Sequence, residues 1–209
     1  MPADGRTTLR EYYNAASSSY LERASKGVMG WMRKRELALT SKMIPEAKNC
    51  RSLDAGCGPG YYCELMRRRG HIVTAVDLSP EMVRIVRNKG FNAHVMDIEH
   101  SEPPPRLGGP FDFVFCAGVL EFAINPEQFL RKLRKLTKDN GELALVAPHK
   151  GAFGTIYELF LKAKGIPAKC YTRELVEKHL KAAGFEVTES HYAWPICLAV
   201  RAKAVPIQQ

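Results

Sequence analysis

The sequence predicts a doubly wound α/β protein, a mostly parallel sheet of about seven strands with helices on both faces. Three observations carry that expectation. Strand-like runs alternate with helical patterns from Arg51 onward. Phe111 to Gly118 is a nearly unbroken apolar run, as in a central parallel strand covered on both sides. The last two strand-like runs are separated by too few residues for a crossover helix, so they form an antiparallel hairpin.

Leu9, Tyr12, Tyr13, Ala16 and Tyr20 recur at helical spacing, and a second helix over residues 28–43 is stopped by Pro45. These residues, 1–45, read as a helical lid or acceptor cap on a domain spanning 46–209. Within the domain, strands at 51–55 and 72–78 each lead into a helix, at 61–69 and 80–88. Ser79 as N-cap and Pro80 in the first turn mark the start of the second of these. A short strand at 92–97 precedes a loop at 101–110, which contains Pro103-Pro104-Pro105 and Gly108-Gly109. After the apolar strand come a helix at 126–137, a turn at Asn140-Gly141 and a strand at 142–147. Helices at 152–164 and 172–183, the second ended by Gly184, lead to strands at 187–194 and 197–204 about Pro195.

Composition excludes several classes. The chain has 209 residues, 45% apolar and 25% charged, which argues against disordered and fibrous proteins. No run of about 18 apolar residues suggests a membrane span, and the charged N-terminal segment leads into no apolar stretch of the kind a secretory signal requires. Cys50, Cys57, Cys63, Cys116, Cys170 and Cys197 form no C-x-x-C pair, so they read as reduced thiols of a cytoplasmic protein without a zinc or other metal site. Lys and Arg number 31 against 22 acids, a formal charge of +9. Between 126 and 138 the cations Arg131, Lys132, Arg134, Lys135 and Lys138 fill the helix surface opposite Phe129, Leu130, Leu133 and Leu136. The charge therefore reads as a solvated surface, with no specific nucleic-acid partner expected.

The strongest local signal is Leu53-Asp54-Ala55-Gly56-Cys57-Gly58-Pro59-Gly60, between a strand and a helix. Glycines there let a ligand approach the backbone closely. The spacing is G-x-G-x-G, and Tyr61 occupies the place of a third dinucleotide glycine, which argues against a nicotinamide dinucleotide. No Gly-Lys-Ser/Thr follows, so a Walker loop is excluded. Asp77 and Asp97 end successive strands at the carboxyl edge of the sheet, where ligands bind. Asp77 suits a pair of ribose hydroxyls. Asp97 suits an exocyclic amino group, with the backbone of Ile98 donating beside it.

Taken together these residues resemble class I S-adenosylmethionine-dependent methyltransferases, the broad type 11 group that acts largely on small molecules. Leu53–Gly60 resembles that family's first motif, residues 75–80 the second, Met96-Asp97-Ile98 the third and residues 111–122 the fourth. Lys138-Asp139-Asn140-Gly141 stands where the family usually has Pro-Gly-Gly. The resemblance covers residues 9–204 and implies a Rossmann-like fold that binds S-adenosylmethionine and releases S-adenosylhomocysteine. It places the backbone of Gly56, Cys57 and Gly58 along the methionine part, with Asp54, Ala55 and Gly60 completing the turn. It places Asp77 on the ribose, Leu78 and Met82 near the adenine, Asp97 and Ile98 on the adenine edge, and the Ala117 carbonyl on the amino group. Tyr12, Tyr13 and Tyr20 are candidates for closing over the cofactor.

Methyl transfer is an in-line displacement in which the protein supplies position and electrostatics. A base is needed only where the acceptor loses a proton. His149, past the fifth strand, and Glu121, past the fourth, are the candidate bases. Met29, Trp31, Met32, Phe153, Tyr157 and Phe160 are expected to wall an acceptor pocket suited to a small apolar or aromatic molecule, with O, N and C acceptors all open. No Asn-Pro-Pro-Tyr follows the fourth strand, which argues against nucleic-acid adenine. The alternatives are an RNA or other macromolecule methyltransferase, suggested by charge alone, and a non-catalytic cofactor-binding protein of the same fold.

Overall fold

A strand covered on both faces must be apolar along most of its length, and the central strands are. In the computed structural model, which describes residues 3–16, 27–193, 195 and 197–206, β1 (Cys50–Ala55), β4 (Phe111–Ala117) and β5 (Thr137–Pro148) occupy the middle of a seven-stranded sheet. β2 (His71–Asp77) and β3 (Asn92–Val95) lie to one side, and β6 (Phe185–Ala193) and β7 (Cys197–Ala204) to the other. The order is β3-β2-β1-β4-β5-β7-β6. β1 to β5 pair in parallel, while β7 runs antiparallel to both β5 and β6.

Alternation along the strands builds two cores. Leu53, Ala55, Val114 and Cys116 face one side, under Leu130 and Leu133 of α5 (Pro126–Leu136) and Val176 and Leu180 of α7 (Arg173–Ala182). Phe113, Phe115, Ala144 and Val146 face the other. There they meet Tyr62, Cys63 and Met66 of α3 (Tyr61–Arg68), Val83 and Val86 of α4 (Pro80–Asn88), and Met43, which ends α2 (Gly27–Met43). α1 (Ala3–Ala16) packs through Leu9 against Phe122, Leu161 and Ile166, near α6 (Ala152–Lys162). Because the chain returns from β3 to place β4 on the opposite side of β1, a crevice opens at the carboxyl ends of β1 and β4.

The helix starts follow their side-chain chemistry. Ser79 Oγ accepts from Met82 N (3.2 Å), Asn125 Oδ1 from Gln128 N (3.1 Å) and Thr172 Oγ1 from Leu175 N (3.3 Å). Four expectations are corrected. β3 stops at Val95, so Asp97 sits two residues beyond the strand rather than at its end. The proline-rich loop contains a 3-10 turn, Pro105–Leu107, that buries Leu107. Asn140-Gly141 is not a free turn ahead of the strand. β5 begins at Thr137, opposite Phe111, and residues 138–141 bulge out before Glu142 meets Phe113.

The fourth correction explains the third. Arg134, expected on a solvated face, is 5% exposed. Its guanidinium donates to Thr137 O (3.0 Å), Asp139 and Val205 O, tying the start of the bulged segment to the chain beyond β7. Tyr20 and Trp194 lie outside the described residues. Among the described residues no helix is long and apolar enough to cross a membrane.

The two arginines of α5 should therefore separate in a stability measurement. Arg134→Ala strips a charged donor from the buried Thr137 carbonyl and from Val205 O, and is expected to lower the unfolding free energy by about 2–4 kcal/mol, read from the urea midpoint at unchanged m. Arg131→Ala removes a 61% exposed side chain and should stay within about 0.5 kcal/mol of the parent.

Candidate active site

The glycine turn after β1 is bound to β2 by its own backbone. Gly56 N and Cys57 N both donate to Val76 O (2.8 and 3.0 Å). Asp77, the last residue of β2, then takes one backbone donor on each oxygen: Gly58 N on Oδ2 and Ser79 N on Oδ1, both at 2.8 Å. Burial raises the Asp77 carboxyl above its ordinary value, and those two donors work against the shift. Gly56 has φ 83°, and a Cβ there would run into Val119 Cγ2, so only glycine fits. Gly58 has φ 48°, and a Cβ on it would meet nothing within 4 Å, so at this position the loop backbone faces open space.

That space is a cavity of about 620 Å³ over the crevice, within the usual range for a small-molecule site. Gly56, Cys57, Gly58, Asp77, Leu78 and Met82 line it from the first two strands. Asp97, Ile98 and Ala117 line it from the next two, and Tyr12 and Tyr13 from α1. The structure thus brings together most of the residues expected to hold a cofactor. Asp54, Ala55 and Gly60 stand behind the turn and do not reach the cavity. Asp54 Oδ2 accepts from Cys63 Sγ (3.1 Å), and complete burial pushes its carboxyl up to about 7.

Asp97 is less free than its place in the sequence implies. Oδ1 accepts from Glu99 N (3.0 Å) and His100 N (3.3 Å), while Oδ2 faces His100 Nδ1 (3.2 Å) and Arg6 Nε (3.6 Å). Arg6 also pairs with Glu99, a buried carboxylate that accepts from Ile124 N (3.0 Å) and Asn125 N (2.6 Å). The Ser79 hydroxyl donates to Asn14 Oδ1. These links anchor α1 over the cavity, and Leu9, Tyr12 and Tyr13 form its roof. No sequence signal pairs Arg6 with Glu99, which lie 93 residues apart.

The two candidate bases separate. Glu121 lies in the 3-10 turn Leu120–Phe122 after β4, is 5% exposed and lines the cavity. Its Oε2 has no hydrogen-bond partner among the described residues. Burial pushes its carboxyl up to about 8, and the Glu36 carboxylate, also on the cavity wall, adds to the rise. His149 lies outside the cavity, its backbone bridged to Tyr171 and its ring edge-on against Tyr192 at 4.6 Å between centroids. Of the expected acceptor walls, Tyr157 and Phe160 border the cavity. Trp31 and Phe153 are exposed and do not, and the Met29 and Met32 side chains lie outside the described residues. Val146–Pro148, Ala193, Cys197 and Lys164 complete the wall, and nothing local in the sequence marks them. Lys164 Nζ sits over the rings of Phe160 (4.2 Å) and Tyr12 (5.2 Å), joining α6 to α1.

Strand order, glycine turn and Asp77 together define the class I methyltransferase type of α/β fold. Residues 53–145 match the family model of a methyltransferase domain, the type 11 group, so the resemblance read from the motifs is borne out. Over 99 residues the chain is 37% identical to a ubiquinone biosynthesis O-methyltransferase of Xanthomonas oryzae pv. oryzae. That match covers 46% of this chain and 41% of the relative, so the chain spans about two fifths of the curated relative it matches. Two solved structures share the fold. The 1,6-didemethyltoxoflavin-N1-methyltransferase of Burkholderia thailandensis, with its substrate and S-adenosylhomocysteine bound, aligns at TM-score 0.70 and 17% identity over 99% of this chain and 91% of that one. The magnesium protoporphyrin IX methyltransferase of Synechocystis PCC 6803, with S-adenosylhomocysteine bound, aligns at TM-score 0.69 and 19% identity over 95% and 99%.

Glu121 makes stability depend on pH in a defined sense. Its carboxyl lies at about 8 in the folded chain against an ordinary 4.5. The folded state therefore holds the proton more tightly, and the stabilisation is complete below the ordinary value and lost as pH rises through 8. Asp54 acts in the same direction toward about 7. In calorimetric scans from acid pH to pH 8, Glu121→Gln is expected to lose less of its Tm than the parent does.

Proposed function

We propose that the protein is a cytoplasmic S-adenosylmethionine-dependent methyltransferase acting on an oxygen atom of a small apolar or aromatic molecule. The observation that carries the reading is Glu121, a buried carboxyl with an unpartnered oxygen on the wall of a cavity whose floor is the glycine turn. The named relative supports oxygen as the acceptor, and six free thiols suit a reducing compartment.

The residues fit the cofactor. Each Asp77 oxygen spends one lone pair on a backbone N–H and keeps another for a ribose hydroxyl. The open face at Gly58 admits the amino-acid part beside the backbone. Leu78, Met82 and Ile98 offer apolar surface for a base, and Asp97 stands at its edge. When bound, the sulfonium supplies an electrophilic methyl carbon. Glu121 then takes the proton of the acceptor hydroxyl at Oε2, which requires its ionised form, so the rate rises with pH toward 8. Leu9, Tyr12 and Tyr13 keep water from the reacting atoms and hold the acceptor in line. As the anchored roof, α1 is the part of the proposed 1–45 cap that closes the site.

Titration calorimetry with S-adenosylhomocysteine should show binding, and NAD should show none. Asp77→Ala is expected to weaken the former by about 2–4 kcal/mol, the worth of one or two charge-assisted hydrogen bonds. With a phenolic acceptor, Glu121→Gln should lower kcat by about 10²–10⁴ at unchanged S-adenosylhomocysteine affinity and abolish the rise of rate toward pH 8. His149→Ala should retain the parent rate. The opposite outcome at these two positions would move the base to His149.

A further inference from the structure

The helix α6 is apolar around most of its circumference. Gly154 and Leu161 turn inward, and Tyr157 borders the cavity. At 100° per residue, Phe153, Ile156, Leu159 and Phe160 fall within an arc of about 120° that begins beside Tyr157 and runs away from Gly154 and Leu161. They are 46%, 62%, 62% and 55% exposed. Single exposed apolar residues are ordinary, but four large ones on one helical face are not.

The chain segment that carries this face is cationic. Lys150, Lys162, Lys164 and Lys169 are all exposed. Glu158 is the one acid between residues 150 and 169, and its carboxylate accepts the Cys170 N–H. We propose that α6 and its lysine rim form a docking surface for an anionic lipid membrane, on which the protein rests peripherally. The apolar side chains enter the boundary between headgroups and acyl chains while the ammonium groups meet lipid phosphates. The formal charge of +9 adds longer-range attraction to such a surface. Pairing with a second copy through this face would set two lysine rims against each other, and a neutral protein partner would leave the rim unmatched.

The surface adjoins the site, because Phe160 and Lys164 belong to both. Resting on the methyl-transfer reading, an apolar acceptor dissolved in the lipid would reach Glu121 without crossing bulk water. The docking itself stands apart from that reading and is tested by binding alone.

The test is co-sedimentation with vesicles of phosphatidylcholine, and with vesicles of phosphatidylcholine mixed with phosphatidylglycerol. The protein should pellet with the anionic vesicles and remain in solution with the neutral ones. The variant I156E/L159E should bind the anionic vesicles about tenfold or more weakly. K150Q/K162Q/K169Q should lose binding likewise, as should the parent at raised salt. Circular dichroism and S-adenosylhomocysteine affinity should be unchanged in both. A parent protein that stays in the supernatant, or an I156E/L159E variant that pellets like the parent, overturns the proposal. So does a dimer, seen by light scattering, that I156E/L159E splits while vesicles go unbound.

Discussion

The site hangs on one half-buried carboxylate. Asp77 receives the Gly58 N–H on one oxygen and the Ser79 N–H on the other, so a single side chain sets the glycine turn against the start of α4. Burying a carboxylate is costly unless backbone donors satisfy it. Those same donors hold the turn open at Gly58, where the backbone must stay accessible. Ser79 extends the arrangement outward, because its hydroxyl caps α4 and also reaches Asn14 of α1. Floor and roof of the cavity are thus joined within three consecutive residues.

Glu121 shows the opposite economy. Among the described residues nothing donates to its Oε2, and its neighbour on the wall is another carboxylate, Glu36. A fold under selection for stability alone would have filled the position with an apolar side chain, since an unpaired buried polar group destabilises. Such violations of local rules gather at functional sites. The contrast with Asp77 is informative: one acid is held in place by donors on both oxygens and shapes the cavity, while burial of the other, with Oε2 unpartnered among the described residues, pushes its carboxyl up to about 8.

Local chemistry was legible in the sequence and tertiary chemistry was not. The glycine turn, Asp77, the Ser79 cap and the C-terminal hairpin depend on residues close together in the chain, and each stands where its pattern implies. Arg134 looked like one more surface cation because helical periodicity cannot see the carbonyls of Thr137 and Val205. The pairing of Arg6 with Glu99 joins distant segments through ordinary residues. His149 and Glu121 both follow strands at the same edge of the sheet, so position alone could not rank them. The ring of Tyr192 and the wall of the cavity separate them.

The insertion of β7 between β5 and β6 bears on how the site is assembled. Among the described strands β6 pairs with β7 alone, so a growing chain that has made β6 still lacks the strand it pairs with. Ala193, which ends β6, and Cys197, which begins β7 and pairs with it, stand on the cavity wall. The glycine turn and Asp77 belong to the first four strands of the sheet, whose parallel pairings need nothing beyond β4. Synthesis from the N-terminus therefore completes the glycine-turn side of the crevice well before the opposite wall. A half-made protein exposes the glycine turn and Asp77 with no opposite wall, and the chamber is enclosed only when the last strand is in place.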